Sequence, residues 1–119
     1  MKKLTFGLII GKRGFFPAHL CETGQQEMIE VIKSLGHEVV CLTDGPAGLE
    51  GIEDAQRCAK LFAEHGEEIS GIVVSLPNSG DERTVANAIR WSGLNVPVLV
   101  HAFPDQVDKL DIDHRRDSF

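Results

Sequence analysis

The run Leu4-Thr5-Phe6-Gly7-Leu8-Ile9-Ile10 constrains the fold more than any other stretch of the chain. It has strand length and empties into a glycine-punctuated loop, Gly11-Lys12-Arg13-Gly14, before a helical pattern begins at Pro17. An apolar run bounded by turn residues reads as a strand covered on both faces, the kind found in parallel sheets. In open α/β sheets the ligand crevice lies beyond the carboxyl ends of such strands. The loop from Gly11 to Phe16 is therefore the first place to look for function.

The rest of the chain repeats the same rhythm. A first helix is expected from Pro17 to Leu35, since Pro is favoured at the first helical position. Leu20, Gly24, Met28, Val31 and Leu35, flanked by Cys21 and Ile32, give it one apolar face at spacings of three and four. Gly36 supplies the left-handed residue that ends it. Gly24 is costly in mid-helix and implies close packing on the sheet. Val39-Val40-Cys41-Leu42 reads as a second strand, followed by a turn-rich loop from Thr43 to Gly51. A second helix is expected from Ile52 to His65, with Ile52, Ala55, Ala59 and Phe62 inward and Gly66 closing it. Ile69 to Leu76 holds a third strand. Pro77-Asn78-Ser79-Gly80 is a loop in which Ser79 and Glu82 form a capping box for the next helix. That helix carries Val85, Ala88, Ile89 and Ser92 on one side and stops at Gly93. A fourth strand follows at Val96 to Val100, with Pro97 at its start, where a missing ladder donor is tolerated.

Strand–helix alternation at this spacing implies right-handed crossovers and a parallel sheet with helices on both faces. The expected fold is a flavodoxin-like, doubly wound α/β domain over residues 1–102, with about four strands in the order 2-1-3-4. Residues 103–119 break the rhythm: they form a polar, charged tail without a clear core face.

At 119 residues the chain is one domain that buries roughly two-thirds of its unfolded surface. A net charge of −6 without a basic stripe argues against nucleic acid and anionic membranes, which require clustered Lys and Arg. The longest apolar runs fall far short of the ~20 residues that cross a bilayer. The start Met-Lys-Lys resembles the basic end of a signal peptide, but the apolar run behind it is broken by Thr5 and Gly7 and meets Lys12-Arg13 with no small-residue cleavage site in between. Cys21, Cys41 and Cys58 are odd in number, lack CxxC spacing and sit in apolar patterns, as free core cysteines do. A soluble, cytoplasmic domain is expected.

Gly7, Gly11 and Gly14 do not match the dinucleotide fingerprint, and no Walker pattern is present. Gly7 reads as a strand glycine against which a helix packs closely. No Ser/Thr-rich flavin phosphate loop follows the first strand, and the third ends in Ser75-Leu76 rather than the Asp of a phospho-acceptor receiver. Arg13, at a strand's carboxyl end beside Phe15 and Phe16, suits an anionic or polyhydroxyl ligand or a partner's carboxylate; it reads equally as a solvated loop arginine. Asn78, Ser79 and Asp81 fall on the same predicted edge, where they either bind sugar hydroxyls or form turns and caps. His101, His114, Asp113 and Asp44 do not assemble into a metal site, which needs three or four converging ligands. Trp91 reads as half-buried packing or an interface anchor.

Four blocks, GKRGFFPAHL at 11–20, SLPNSGDE at 75–82, HAFPDQ at 101–106 and RRDSF at 115–119, together resemble the amino-terminal domain of L-fucose isomerase-like proteins, relatives of the L-fucose and L-arabinose ketol isomerases. The resemblance covers essentially the whole chain. It implies a domain from an oligomeric enzyme several times longer, with a second doubly wound domain and a β-rich carboxy-terminal one. It also implies aldose–ketose interconversion through an enediol, using a divalent metal, usually Mn²⁺, held by Glu, Asp and His of the later domains. In such enzymes the loops after the first and third strands of this domain lean over a neighbouring subunit's active site. Arg13 matches the arginine of the first loop, whereas Asn78 stands where the resemblance leads one to expect an aromatic. RRDSF would lead on into further chain, so that Phe119 looks like an artificial boundary or the end of a truncated gene product.

The leading expectation is thus a substrate-capping and oligomerisation domain of a metal-dependent sugar isomerase. Arg13, Gly14, Phe15, Asn78 and Asp81 would contact the sugar at a subunit interface of a homo-oligomer. No catalytic residue and no metal ligand are expected in this chain; Mn²⁺ would be bound outside it. The alternative is a stand-alone α/β module that binds a small sugar or phosphate without catalysis. A weaker third reading places phosphate or nucleotide at the capped helix start, Ser79.

Overall fold

A computed structural model describes residues 2–12, 18–43, 45–76 and 82–102. In chain order these form β1 (Thr5–Gly11), α1 (Ala18–Ser34), β2 (Glu38–Val40), β3 (Gly48–Leu49), α2 (Ile52–Glu64), β4 (Ile69–Leu76), α3 (Glu82–Ser92) and β5 (Val98–Ala102). Every strand pair is parallel, and the sheet runs β2-β1-β4-β5. The expected order 2-1-3-4 is therefore the order observed, with its third and fourth strands being β4 and β5.

The element missing from the sequence reading is β3. Thr43 to Gly51 reads as a loop, yet Gly48 and Leu49 pair with Ile10 and Gly11, further along the same side of β1 that receives β2. Two residues carry no periodicity, so only the close approach of the chain to β1 creates this strand. A Cβ on Gly48 would lie 2.6 Å from Lys12 Cβ and 2.9 Å from Cys21 Sγ, which is why glycine stands there.

One face of the sheet carries Leu8, Ile10, Cys21, Ala47 and Val73 as a buried cluster beneath α1. The other carries Ile9, Leu49, Ile72 and Val74 with Ala55, Cys58 and Phe62 of α2 and Ala88 of α3. Strand alternation sorts these side chains to the two faces. Gly7 takes part in this packing as expected, because Phe62 lies directly over it. Gly36 and Gly93, with φ of 88° and 73°, follow α1 and α3 as left-handed terminators.

Two expected helix faces are corrected. On α1 the buried line is Cys21, Gly24, Gln25 and Ile32, with Met28 and Ile29 half-buried, whereas Leu20, Val31 and Leu35 are exposed. Its apolar arc is wider than the strip that meets the sheet, and the polar Gln25 is inside the strip because its Nε2 donates to the Leu42 carbonyl at 3.0 Å. On α2, Ile52 is exposed at the margin of the face made by Ala55, Cys58, Ala59 and Phe62. The helix also ends at Glu64, with His65 as its cap rather than Gly66. The face expected for α3 is observed, with Thr84 added to it. β5 begins two residues later than Val96, and the Pro97 carbonyl accepts from the Ile72 N–H at 2.9 Å.

The capping box at Ser79, the loop 77–81 and the tail 103–119 lie outside the described residues. Among the described residues no helix is long and apolar enough to cross a membrane.

Candidate functional site: the carboxyl edge of the sheet

From β1 the chain turns to β2 on one side, and β4 lies on the other, so the switch point of the sheet is between β1 and β4. The chain leaves these adjacent strands at the same edge, about 4.8 Å apart. Arg13, Gly14 and Phe15 follow β1 directly, and Asn78 and Asp81 lie between β4 and α3. All five lie outside the described residues, so the structure fixes the strand ends from which they depart and nothing about their side chains.

Three polar arrangements among the described residues build this edge. At the end of β1, the Lys12 N–H donates to the Leu49 carbonyl at 3.2 Å, and Lys12 Nζ pairs with Glu50 Oε1 at 3.3 Å. The pair ties β1 to β3 and compensates the ammonium charge one residue before Arg13. Glu50 is partly exposed, so the pair contributes little to stability and mainly positions the strand ends.

The start of α2 is tied down next. The Glu50 N–H donates to Asp54 Oδ2 at 2.9 Å, and the Gly51 N–H donates to Thr84 Oγ1 of α3 at 2.9 Å. Gly51, with φ of 93°, offers no side chain to cap the helix, and these contacts instead satisfy the N–H groups of Glu50 and Gly51 and anchor the chain where α2 begins. Thr84 is buried, and through it the starts of α2 and α3 are held together at one edge.

The third arrangement spans β4 and β5. Ile10, Ser75 and His101 occupy one rung across β1, β4 and β5. Ser75 Oγ and His101 Nδ1 are 3.3 Å apart. Sequence reasoning weighed His101 only as a metal ligand and missed this pair, because the partners are 26 residues apart and meet only through strand register.

The thiols are not poised for nucleophilic chemistry. Burial pushes the Cys21 thiol up, against the pull of nearby Lys12, and burial likewise raises Cys41. Cys58 is pushed up to about 12, chiefly by burial. A reactive thiolate needs the opposite shift. Among the described residues no group of three or more His, Cys, Asp or Glu could hold a metal ion.

Fold and edge together define a doubly wound α/β domain whose described polar groups at the carboxyl edge hold strand and helix ends in place. Residues 7–119 match the family described as fucose/sulfoquinovose isomerase, N-terminal domain, and the chain belongs to that family. A comparison with the curated proteins finds no match.

Proposed function

We propose that this domain caps the substrate in a sugar isomerase and contributes to its assembly, while metal and acid–base chemistry are supplied from outside the chain. The observation that carries this reading is the family match across residues 7–119. Arg13 would bind sugar hydroxyls, with Gly14 allowing close approach of the backbone, Phe15 excluding water, and Asn78 and Asp81 hydrogen-bonding from the adjacent loop. Guanidinium and amide donors beside a carboxylate acceptor match the alternating donors and acceptors of a polyol. The adjacency of the β1 and β4 ends supports joint action of the two loops.

The assembly role draws on β5. Val98, Leu99 and Val100 are 42%, 63% and 62% exposed, and alternation sends Leu99 to one face and its neighbours to the other. A sheet edge that is apolar on both faces and carries no charge is a liability unless something covers it. The opposite edge is guarded: β2 has three residues, and Glu38 at its start pairs with Lys3 at 3.0 Å. This contrast favours a domain that works inside a larger assembly over a stand-alone binding module. Trp91, 38% exposed on α3, is a second apolar contact for such an assembly.

The test is isomerase activity of the purified 119-residue chain, supplied with Mn²⁺ and with L-fucose or sulfoquinovose. No interconversion is expected. Turnover by the chain alone overturns the proposal.

A further inference from the structure

We propose that β5 is completed by a second copy of this chain, the two β5 strands pairing antiparallel about a two-fold axis at Val100. This inference rests on the assembly half of the proposed function, not on sugar binding, and names the partner and the register of that contact.

The direction of each backbone group on β5 follows from its ladder to β4. Val98 lies opposite Ile72, and the Ile72 N–H donates to the carbonyl of Pro97, one residue earlier. In a parallel pair this pattern turns the backbone N–H and C=O of Leu99 and His101 towards β4 and those of Val98, Val100 and Ala102 away from it. Among the described residues no strand lies beyond β5 to receive them. The strand also lies within residues 91–104, the longest run without Asp, Glu, Lys or Arg in a chain that is 25% charged. Sheet edges are usually protected by a charge, a proline within the strand or a bulge. None of these falls in Val98–Ala102, whose register with β4 is unbroken.

A second copy suits this edge because of its charge. A two-fold contact sets the side chains near the axis against their own equivalents, where a charge would meet its like. In a chain of net charge −6, the neutral strand is the segment that tolerates this. Pairing of β5 with β2 of another copy is disfavoured, since β2 has three residues and its Glu38 is held by Lys3. Such a contact would also be heterologous and open-ended. The self-pair must be antiparallel, because a two-fold axis along the strands would set N–H against N–H. With the axis at Val100, Val100 faces its equivalent, Val98 faces Ala102 of the partner copy, and Leu99 faces His101 of the partner copy. The outward N–H and C=O groups of β5 then exchange hydrogen bonds with one another. Val98 and Val100 share the face of Ile72 and Val74, so they meet apolar mates across the axis. The path β2-β1-β4-β5 is thereby doubled into one continuous sheet.

Cysteine cross-linking and a backbone variant test this on the full 119-residue chain. Val100→Cys, oxidised where the chain self-associates, is expected to give a disulfide-linked dimer, since its Cα would lie about 5.5 Å from its equivalent. Leu99→Cys is expected to give none, its equivalent lying about 8 Å away. Wild type, in which Cys21 and Cys58 are buried, is the control. Val100→Pro removes an N–H that only the second copy would use and leaves the ladder to β4 intact. It is expected to weaken self-association roughly 10-fold or more by sedimentation, through loss of the symmetric bonds at Val100, with circular dichroism unchanged. Undiminished association of folded Val100→Pro, or linkage of Leu99→Cys in preference to Val100→Cys, overturns the pairing. The same Val100→Cys oxidation on the protein isolated in its native assembly is expected to link two copies. Failure to link there means that another strand covers β5 and overturns the proposal, whereas sugar turnover by that assembly, measured separately, decides the capping reading.

Discussion

The ring of Phe62 occupies the place where a side chain on Gly7 would begin: a Cβ there would lie 2.8 Å from two of its ring carbons. Phe62 is wholly buried and cannot swing aside. Gly7 in β1 and Phe62 in α2 thus set the distance between the sheet and one helical layer. Gly7→Ala is expected to destabilise by about 1–3 kcal/mol, the usual cost of overpacking a filled core. Urea denaturation checks it, with a lowered midpoint and an unchanged slope as the expected result. Unchanged stability would mean that the α2 layer can shift at no cost.

Cys58 provides a pH test of the same layer. Burial raises its thiol from the ordinary 9.0 to about 12, with a smaller contribution from Cys41. Between these values the unfolded chain has released the proton and the native state retains it. Bound protons then favour the native state, so stability falls as pH rises. The slope is ~1.4 kcal/mol per pH unit from this group alone. Denaturation at pH 8, 9 and 10, compared with Cys58→Ala, isolates it from lysine titration. The expected result is a steeper decline in the wild type; parallel curves would place Cys58 in contact with water.

The β5 edge predicts self-association. The isolated chain is expected to form concentration-dependent oligomers, and Leu99→Lys with Val100→Lys is expected to shift them towards monomer. Both side chains are exposed, so the effect on folding should be within about 0.5 kcal/mol. Sedimentation measures the first effect and thermal unfolding the second. A monomeric wild type at high concentration would remove the edge as evidence for assembly.

The sheet order was legible because β1 and β4 are long apolar runs, and the strand–helix spacing leaves few ways to connect them. The range Ile69–Leu76 and the terminators Gly36 and Gly93 were readable for the same local reasons. α1 was harder. Cys21 and Ile32 are buried whereas Leu20 and Val31, about 100° around the helix, are exposed, and hydrophobicity does not separate the two pairs. β3 and the Ser75–His101 pair depend on register between distant segments, a tertiary property with no signal in local periodicity. The family resemblance rested on four short sequence blocks, and residues 7–119 do match that family.

In the proposed function Arg13 acts on a sugar within an isomerase to which this chain contributes the cap. The most direct measurement compares wild type and Arg13→Ala after isolation of the protein in its native assembly, with bound metal quantified in both. A loss of kcat/KM of about 100-fold or more at unchanged metal content is the predicted result, in line with removal of a charge-assisted contact to the reacting sugar. Full activity in Arg13→Ala would show that Arg13 does not bind the sugar.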